Sequence, residues 1–464
     1  MLYFCTSIIC DMDINTILTN MHFDKLSEMQ RNAIAIIRNN INAMILAPTG
    51  SGKTLAFLIP LLETIDFGSD TLQAVVLSPT RELAQQTLNV LKQMDAPCRA
   101  MCCYGGRPAM TEHKQLDALK PHIIIATPGR FIDHADKGNI KCNKVKTLVI
   151  DEFDKMLELN FQDEVETVLQ KLTGRERCVL VSATDMKEIP SFVAFKHHQP
   201  AILNCLGNKS LADAPQIEQF VVHSPEKDKL QTLDQLLRKL GDQQTIVFVN
   251  YREAVERTAA YLNQEGHSVA MFHGGMEQSD RETALSLFRS HSVNTLVSTD
   301  LAARGIDIAS LQNIIQYHLP NNAETYLHRC GRTGRWEAQG ASYTIVGPEE
   351  KLPDYLTDAQ DLQLTPPFPS PAKPQWVTLY IGRGKKDKLG KGDVVGFLCK
   401  TGKLNATEIG TIDIRERYAY VAIRQACANV VLRNIAGEKI KKMSTRIELI
   451  KTSRLVPKIK AKKK

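Results

Sequence analysis

The chain has 464 residues, a length typical of about three domains of about 150 residues each. Apolar residues make up 43% of it and charged residues 23%, a composition that excludes wholesale disorder and fibrous architectures. The net charge is +7, and no run of about 18 apolar residues is present, so we expect a cytoplasmic protein with no membrane-spanning helix and no membrane partner.

Two stretches rich in helix-breaking residues divide the chain. The first covers 206–216, and the second, 352–374, contains six prolines, which are typical of a stiff spacer. We expect this spacer to hold a third domain near the others without rigid docking. The predicted domains are 1–206, 217–351 and 375–451, with 352–374 as a linker and 452–464 as a basic tail.

Short runs rich in Val, Ile and Leu alternate with helical patterns in the first two domains. Such runs predict buried parallel strands covered by helices, and therefore two tandem α/β domains. In the first domain the predicted strands are 43–47, 74–78, 123–126, 147–151 and 178–182. In the second they are 245–250, 268–273, 295–299, 313–318 and 342–346.

The first predicted strand runs into a P-loop octet, Ala47-Pro48-Thr49-Gly50-Ser51-Gly52-Lys53-Thr54, which opens a helix. The glycines let backbone amides face phosphates, Lys53 can reach the outer phosphates, and Thr54 can hold Mg²⁺. The sequence therefore predicts binding of ATP with Mg²⁺.

The eleven cysteines do not indicate a metal framework. None forms a CxxC pair, and the cluster Cys98, Cys102 and Cys103 has no histidine at zinc-ligand spacing. We expect free thiols in a reducing compartment and no structural zinc.

Two acidic residues follow another predicted strand, as a P-loop site requires. Asp151 would bind Mg²⁺ through its water shell, and Glu152 would polarise the attacking water. The second domain has no P-loop but ends in a run with glycine-spaced arginines, 328–335. If the two domains face each other, its three arginines, Arg329, Arg332 and Arg335, can neutralise charge that develops on the γ-phosphate.

These motifs, in their order and spacing over about 20–350, resemble the DEAD-box helicases, the RNA-dependent ATPases of superfamily two. The resemblance implies two RecA-like domains. It implies that Gln30 reads adenine, that Asp307 meets the ribose of ATP, and that Arg332 and Arg335 are arginine fingers. Coupling of hydrolysis to strand separation is expected at Asp154, Ser182 and Thr184. RNA contacts are expected at Arg81, Gly106, Thr127, Gly129, Arg130, Arg281 and Thr299.

The chain departs from the family pattern in several places. Phe153 replaces the usual Ala of the name-giving tetrad and should force repacking against 182–184. Glu28 and His22 replace the usual proline and glycine of the glutamine motif. The aromatic residue that packs on adenine would fall near Phe4, which would be lost if Met12 were the true start.

The third domain reads as strand, helix, strand, strand, helix, strand, the order of an RNA-recognition-motif fold, which is a small α+β domain. Residues 373–464 carry 23 Lys and Arg against 7 Asp and Glu, a net +16, so the first 372 residues carry −9. Such asymmetry predicts a polyanionic partner, with nucleic acid the first candidate and an anionic membrane surface the second.

Candidate RNA contacts in this domain are two tyrosines and a basic loop. At strand period Tyr418 and Tyr420 share a face, which suits base stacking or simply packing within the domain. Lys385 and Lys386 would contact phosphates.

A DEAD-box core followed by this module is similar to the bacterial DbpA-type helicases. The resemblance implies a monomer that remodels RNA next to a 23S rRNA element of the large ribosomal subunit. Two alternatives stay open: a general RNA helicase in cold stress or decay, and an RNA-binding scaffold whose ATPase is vestigial because of Phe153.

Overall fold

A computed structural model describes residues 14–106, 109–186, 188–193, 195–206, 217–301, 311–320, 322–331, 340–356 and 358–450. Its described residues fall into two compact units, one ending at 206 and the other beginning at 217. Each unit is described by itself below.

The first unit is a seven-stranded, all-parallel sheet covered by helices, which confirms the predicted α/β class and adds two strands to the five predicted. Its strand order is β3-β4-β2-β5-β6-β1-β7. The strands are β1 Asn42–Leu46, β2 Ala74–Leu77, β3 Ala100–Cys103, β4 Ile123–Ala126, β5 Thr147–Ile150, β6 Arg177–Ser182 and β7 Ala201–Asn204. The helices are α1 Ile14–Asn20, α2 Glu28–Asn39, α3 Lys53–Leu62, α4 Arg81–Gln93, α5 Ala109–Leu119, α6 Pro128–Asp136, α7 Phe153–Glu158 and α8 Gln162–Lys171.

Successive side chains of each strand enter two cores, one on each face of the sheet. Ala43 and Ile45 of β1 join the core that includes residues of α2 and α3, whereas Met44 and Leu46 join the core that includes α6 and α8. Burial on both faces explains why these strands are continuous apolar runs. Because the strands are parallel, the loops that follow them gather along one edge, where the predicted motifs lie.

The second unit begins with another seven-stranded parallel sheet, of order β10-β11-β9-β12-β13-β8-β14. Counted from its own first strand, this is the order of the first sheet. The strands are β8 Ile217–His223, β9 Thr245–Phe248, β10 Val269–Phe272, β11 Thr295–Ser298, β12 Asn313–Gln316, β13 Gly340–Val346 and β14 Gln360–Asp361. The helices are α9 Leu230–Leu240, α10 Arg252–Gln264, α11 Gln278–Arg289 and α12 Ala323–Cys330.

The segment 352–374 is more than the predicted spacer. Its strand β14 pairs with β8 and extends the second sheet to Asp361. Leu362 and Leu364 then pack against the core of that sheet. The second sheet therefore extends into 352–374, the segment that was predicted to be a linker.

A small antiparallel sheet, of order β16-β17-β15-β20, completes the second unit and has the predicted βαββαβ chain order. Its strands are β15 Trp376–Ile381, β16 Ile409–Ile414, β17 Ala419–Arg424 and β20 Ile447–Leu449, with a ribbon of β18 Lys439–Ile440 and β19 Met443–Ser444. Its helices are α13 Lys391–Lys400 and α14 Ala428–Ile435.

This small domain is docked on the second sheet domain, so the expected loose tether is wrong. The Tyr420 hydroxyl lies 3.0 Å from Thr283 Oγ1 on α11. Thr378 Oγ1 lies 2.9 Å from Ser290 Oγ and 2.7 Å from Ser292 Oγ. The contacts are mostly between hydroxyl groups, a polar character typical of interfaces between domains.

Among the described residues, no helix is both long enough and apolar enough to span a bilayer. The described cysteines are all free thiols.

Candidate active site

The P-loop lies where β1 ends and α3 begins. Gly50 and Gly52 have φ of 80° and 85°, a left-handed conformation that glycine adopts without steric cost. Gly52 caps α3 without a side chain, so the first amides of that helix point into the loop. The turn therefore offers the backbone donors and helix N-terminus that bind phosphate.

Lys53 is folded back on this loop. Its Nζ donates to the carbonyl oxygen of Pro48 at 2.8 Å and also to that of Ala47. A phosphate would have to replace these carbonyls as the acceptor. Thr54 follows in the first turn of α3 and is half-buried.

Gln30 reaches the same loop from α2. It closes a capping box with Ser27, whose backbone amide donates to Gln30 Oε1 at 2.8 Å. The Gln30 Nε2 donates to the Gly52 carbonyl oxygen at 3.3 Å. Thus the glutamine motif keeps its contact with the P-loop despite Glu28 and His22.

The acidic tetrad stands at the end of β5, and its three carboxylates are buried. Burial and, to a smaller extent, the neighbouring Glu152 charge together raise the pKa of Asp151 to about 7, while Lys53 acts in the opposite direction. Glu152 has a φ of 48° and lies in the left-handed region, which is uncommon for a residue with a side chain. Crowded, desolvated carboxylates beside a phosphate loop are a chemical fit for a divalent cation.

Asp154 links this site to the predicted coupling motif. Its Oδ2 accepts from the Ala183 amide at 3.3 Å. Ser182 and Thr184 close a turn around it, since the Thr184 amide donates to Ser182 Oγ at 3.2 Å. The two motifs are thus joined by a direct hydrogen bond.

Phe153 is fully buried between the acids. Its ring packs in the second core and faces Phe192, 6.4 Å away between centroids. The repacking expected around Phe153 therefore involves Phe192, which follows the coupling motif at 182–184 in the chain.

The predicted RNA-contacting residues of the first unit follow β2, β3 and β4, which are neighbours in the sheet. Arg81 opens α4, and its guanidinium passes close to Gly105, where an added Cβ would be 3.3 Å from Nη2. Gly106 has a φ of 88°. Thr127 caps α6, and a Cβ at Gly129 would meet nothing within 4 Å. Backbone groups and arginines at one edge suit phosphates and would not read bases.

Arg130 is held from behind by a buried carboxylate. Its Nε donates to Glu112 Oε2 at 2.7 Å, and His134 Nε2 lies 3.0 Å from the same oxygen. Among the described residues, Cys103, Glu112 and His134 form a group with metal-ligand proximity. Because Arg130 already neutralises Glu112, we interpret the group as a brace for Arg130.

In the second unit the predicted sites are only partly described. Arg281 is buried on α11, where it contacts Gln278. Thr299 is half-buried directly after β11. Asp307, Arg332 and Arg335 lie outside the described residues, as do Phe4, Met12 and the basic tail. Sequence reasoning grouped Arg329 with the phosphate-facing arginines of the run 328–335 and missed that it is fully buried.

Tyr380 of β15 lies on the same face as Tyr418 and Tyr420, and the three ring centroids are 5.1 to 6.1 Å apart. Tyr420 is 7% exposed beneath Thr283 of α11, and Tyr418 is half-buried, where burial raises its pKa. Lys385 and Lys386 form an exposed turn. The basic loop is therefore accessible, whereas the tyrosine face is largely covered.

Comparison with known proteins agrees with this geometry. Three family models match: DEAD/DEAH box helicase over 27–191, Helicase conserved C-terminal domain over 228–337, and DbpA RNA binding domain over 378–449. The chain is 34% identical over 448 residues to the ATP-dependent RNA helicase DbpA of Escherichia coli, covering 94% of this chain and 97% of the relative. It is also 34% identical to the DEAD-box ATP-dependent RNA helicase CshA of Bacillus subtilis, over 73% of this chain and 68% of the relative.

Solved structures give the same result for the two sheet domains. DEAD-box helicase Mss116 bound to ssRNA and UDP-BeF matches with a TM-score of 0.66 and 26% identity, over 73% of this chain and 74% of that one. Dbp5 of S. cerevisiae bound to RNA and ADP BeF3 matches with a TM-score of 0.64 and 26% identity, over 72% of this chain and 88% of that one. With its third domain included, the chain belongs to the DEAD-box ATP-dependent RNA helicases that carry a DbpA RNA binding domain.

Proposed function

We propose that this helicase remodels RNA duplexes during assembly of the large ribosomal subunit, with 23S rRNA as its target. It would work in the cytoplasm as a monomer, since every required motif lies in one chain. The observation that carries the proposal is the third domain. The DbpA relative aligns over 94% of the chain, including this domain, whereas the CshA relative aligns over 73%.

ATP would occupy the edge formed by the P-loop and the acidic tetrad. Lys53 would exchange its loop carbonyls for the outer phosphates, and Glu152 would orient the attacking water. Thr54 and Asp151 would hold Mg²⁺, which supplies positive charge against the phosphates. Gln30 would select adenine, with Asp307 on the ribose and Arg332 and Arg335 at the γ-phosphate.

RNA would lie on the loops after β2, β3 and β4 and on Arg281 and Thr299 of the second unit. The donors there are backbone amides and guanidinium groups, so the core should grip phosphates regardless of sequence. We expect local separation of short duplexes, with little loss when the sequence changes and strong loss when DNA replaces RNA. Processive unwinding of long duplexes would contradict this.

Target choice would then rest on the third domain. Lys385 and Lys386 are exposed and can meet phosphates. Stacking of a base on Tyr418 or Tyr420 would require this face to be uncovered, because α11 lies against it.

The experiment compares ATP hydrolysis by the full chain with a large-subunit rRNA fragment and with an equal mass of random RNA. We expect much stronger stimulation by the rRNA fragment. The double variant Lys385→Gln, Lys386→Gln should weaken both responses similarly and flatten their salt dependence. Equal stimulation of the unmodified chain by both RNAs would overturn the ribosomal assignment and leave the general helicase.

A further inference from the structure

Arg329 lies on α12. Among the described residues, it has the largest side chain that is fully buried. Removing a guanidinium from water is costly unless its donors and its charge are matched. A buried arginine with a complete set of partners is therefore a candidate for a defined task.

The partners of Arg329 come from three neighbouring strand ends. Its Nε donates to Asp300 Oδ1 at 2.5 Å, after β11. Its Nη2 donates to Asn250 Oδ1 at 2.9 Å, after β9. Its Nη1 donates to Gln316 Oε1 at 2.8 Å and to the His318 carbonyl oxygen at 3.0 Å, at the end of β12.

These strands lie side by side in the order β11-β9-β12. The rigid, planar guanidinium of Arg329 therefore connects the chain at the ends of β9, β11 and β12 to α12. The guanidinium also lies over the Phe248 ring, 5.1 Å from its centroid, which fixes its plane. Lysine could not replace this fork, because its ammonium is a single point with a flexible stem.

Asp300 is the one carboxylate that the described structure places in an ion pair with Arg329. It directly follows Thr299, the predicted RNA contact, so the pair fixes the backbone that presents Thr299. We propose that Arg329 is a positioning residue for RNA binding: it holds the Thr299–Asp300 turn against β9, β12 and α12. The inference rests on the proposed RNA role of Thr299 but not on the ribosomal target.

The test uses the full chain and a short single-stranded oligouridylate, so a failed rRNA preference would not affect it. In Arg329→Lys and in Asp300→Asn we expect the RNA concentration for half-maximal ATPase to rise by about tenfold to a hundredfold. The KM for ATP should change less than this RNA concentration, because Arg329 and Asp300 hold the turn of the proposed RNA contact Thr299, whereas the proposed ATP contacts Asp307, Arg332 and Arg335 would act through their own side chains. The matched control is Arg257→Lys, an exposed arginine paired with Asp228, which should change neither value.

Asp300→Asn keeps the side-chain shape and serves if Arg329→Lys fails to fold. A purely structural role would lower the thermal midpoint and the active fraction while leaving the RNA requirement of the folded enzyme unchanged. That result in the folded variants would overturn the proposal. Combining the two substitutions should cost less than the sum of the single losses, as expected for direct partners.

Discussion

The two sheet domains share a strand order and differ in the loops that follow their strands. After β1 the chain forms a glycine turn and Lys53, whereas after β8 it reaches Lys229 through 224–228, which contain no glycine. Lys229 Nζ is committed to the Ile345 carbonyl oxygen at 2.9 Å and to Glu350 at 2.7 Å. The same strand order thus carries a phosphate-binding loop in the first sheet domain and a structural ion pair in the second, because function resides in the loops.

The same holds at the next functional strand. β5 runs into Asp151 and Glu152, whereas its counterpart β12 runs into Tyr317 and His318. Burial raises the pKa of Tyr317 to about 12 and lowers that of His318. Both therefore stay neutral near pH 7, so the end of β12 carries a tyrosine and a histidine where the end of β5 carries two carboxylates.

The largest expected effect is on ATP binding, and it should distinguish Lys53 from Lys229. Lys53→Ala should weaken ATP binding by about a hundredfold or more, because the outer phosphates lose their cation. Lys229→Ala should leave ATP affinity unchanged but lower the free energy of unfolding by about 1–3 kcal/mol, since Glu350 loses its partner. Fluorescent-nucleotide titration and urea unfolding measure the two. An equal loss of ATP affinity in the two variants would contradict the assignment of phosphate binding to Lys53 and of a structural ion pair to Lys229.

The next effect concerns the acidic pair that follows β5 and is replaced by Tyr317 and His318 after β12. Glu152→Gln should slow hydrolysis by about 10²–10⁴-fold while ATP still binds, which would trap a closed RNA complex. Phosphate release and nucleotide binding are measured on the same preparation, with Asp163→Asn, exposed on α8, as the control. Retention of most activity would assign the orientation of water to another group.

Phe153→Ala tests the departure within the tetrad. The ring is fully buried, so truncation should lower the free energy of unfolding by about 3–5 kcal/mol, with Mg²⁺ binding retained. Phe153→Leu should lose less, because it leaves a smaller cavity. An unchanged melting temperature in the alanine variant would be incompatible with the packing against Phe192.

A smaller effect is expected in the pH dependence of stability. The pKa of Asp151 is raised from 3.8 to about 7, so the folded protein holds a proton that the unfolded chain has released. Stability from this group is therefore greatest below about pH 4 and falls as pH rises towards about 7. Asp151→Asn should remove that decline. Urea midpoints at several pH values without Mg²⁺ would show it, and parallel curves for both proteins would contradict it.

Much of this architecture could be predicted from the sequence because buried parallel strands and the P-loop leave strong local patterns. Four strands of the two parallel sheets were missed: β3, β7, β8 and β14. β8 contains the apolar run Phe220-Val221-Val222, whereas the other three lack such a pattern. β3 is Ala-Met-Cys-Cys, without β-branched residues, and β7 and β14 are edge strands whose side chains are partly exposed. Each of these strands is fixed by its neighbour in the sheet rather than by its own residues.

Candidate site residues could be named from the sequence, but the contacts that support them could not. The hydrogen bond between Thr283 and Tyr420 joins residues 137 apart, and neither residue type indicates a partner. Glu112 behind Arg130 and the partners of Arg329 are similar. In the sequence Glu112 is a polar position on a helix and the partners of Arg329 are polar positions at or after strand ends, and only the fold shows that they meet these arginines.

The smallest expected effect concerns helices in equivalent positions. α5 turns Glu112 inward to brace Arg130, whereas α11 presents Thr283 outward to the third domain. Tyr420→Phe removes one hydroxyl from that contact but keeps the ring, so it should lower the free energy of unfolding by only about 0.5–1.5 kcal/mol. Tyr420→Ala removes the ring as well. If RNA uncovers this face and stacks on it, the alanine variant alone should lose about 1–3 kcal/mol of RNA affinity. Unchanged RNA affinity in both, with reduced stability, would assign the tyrosine to docking alone.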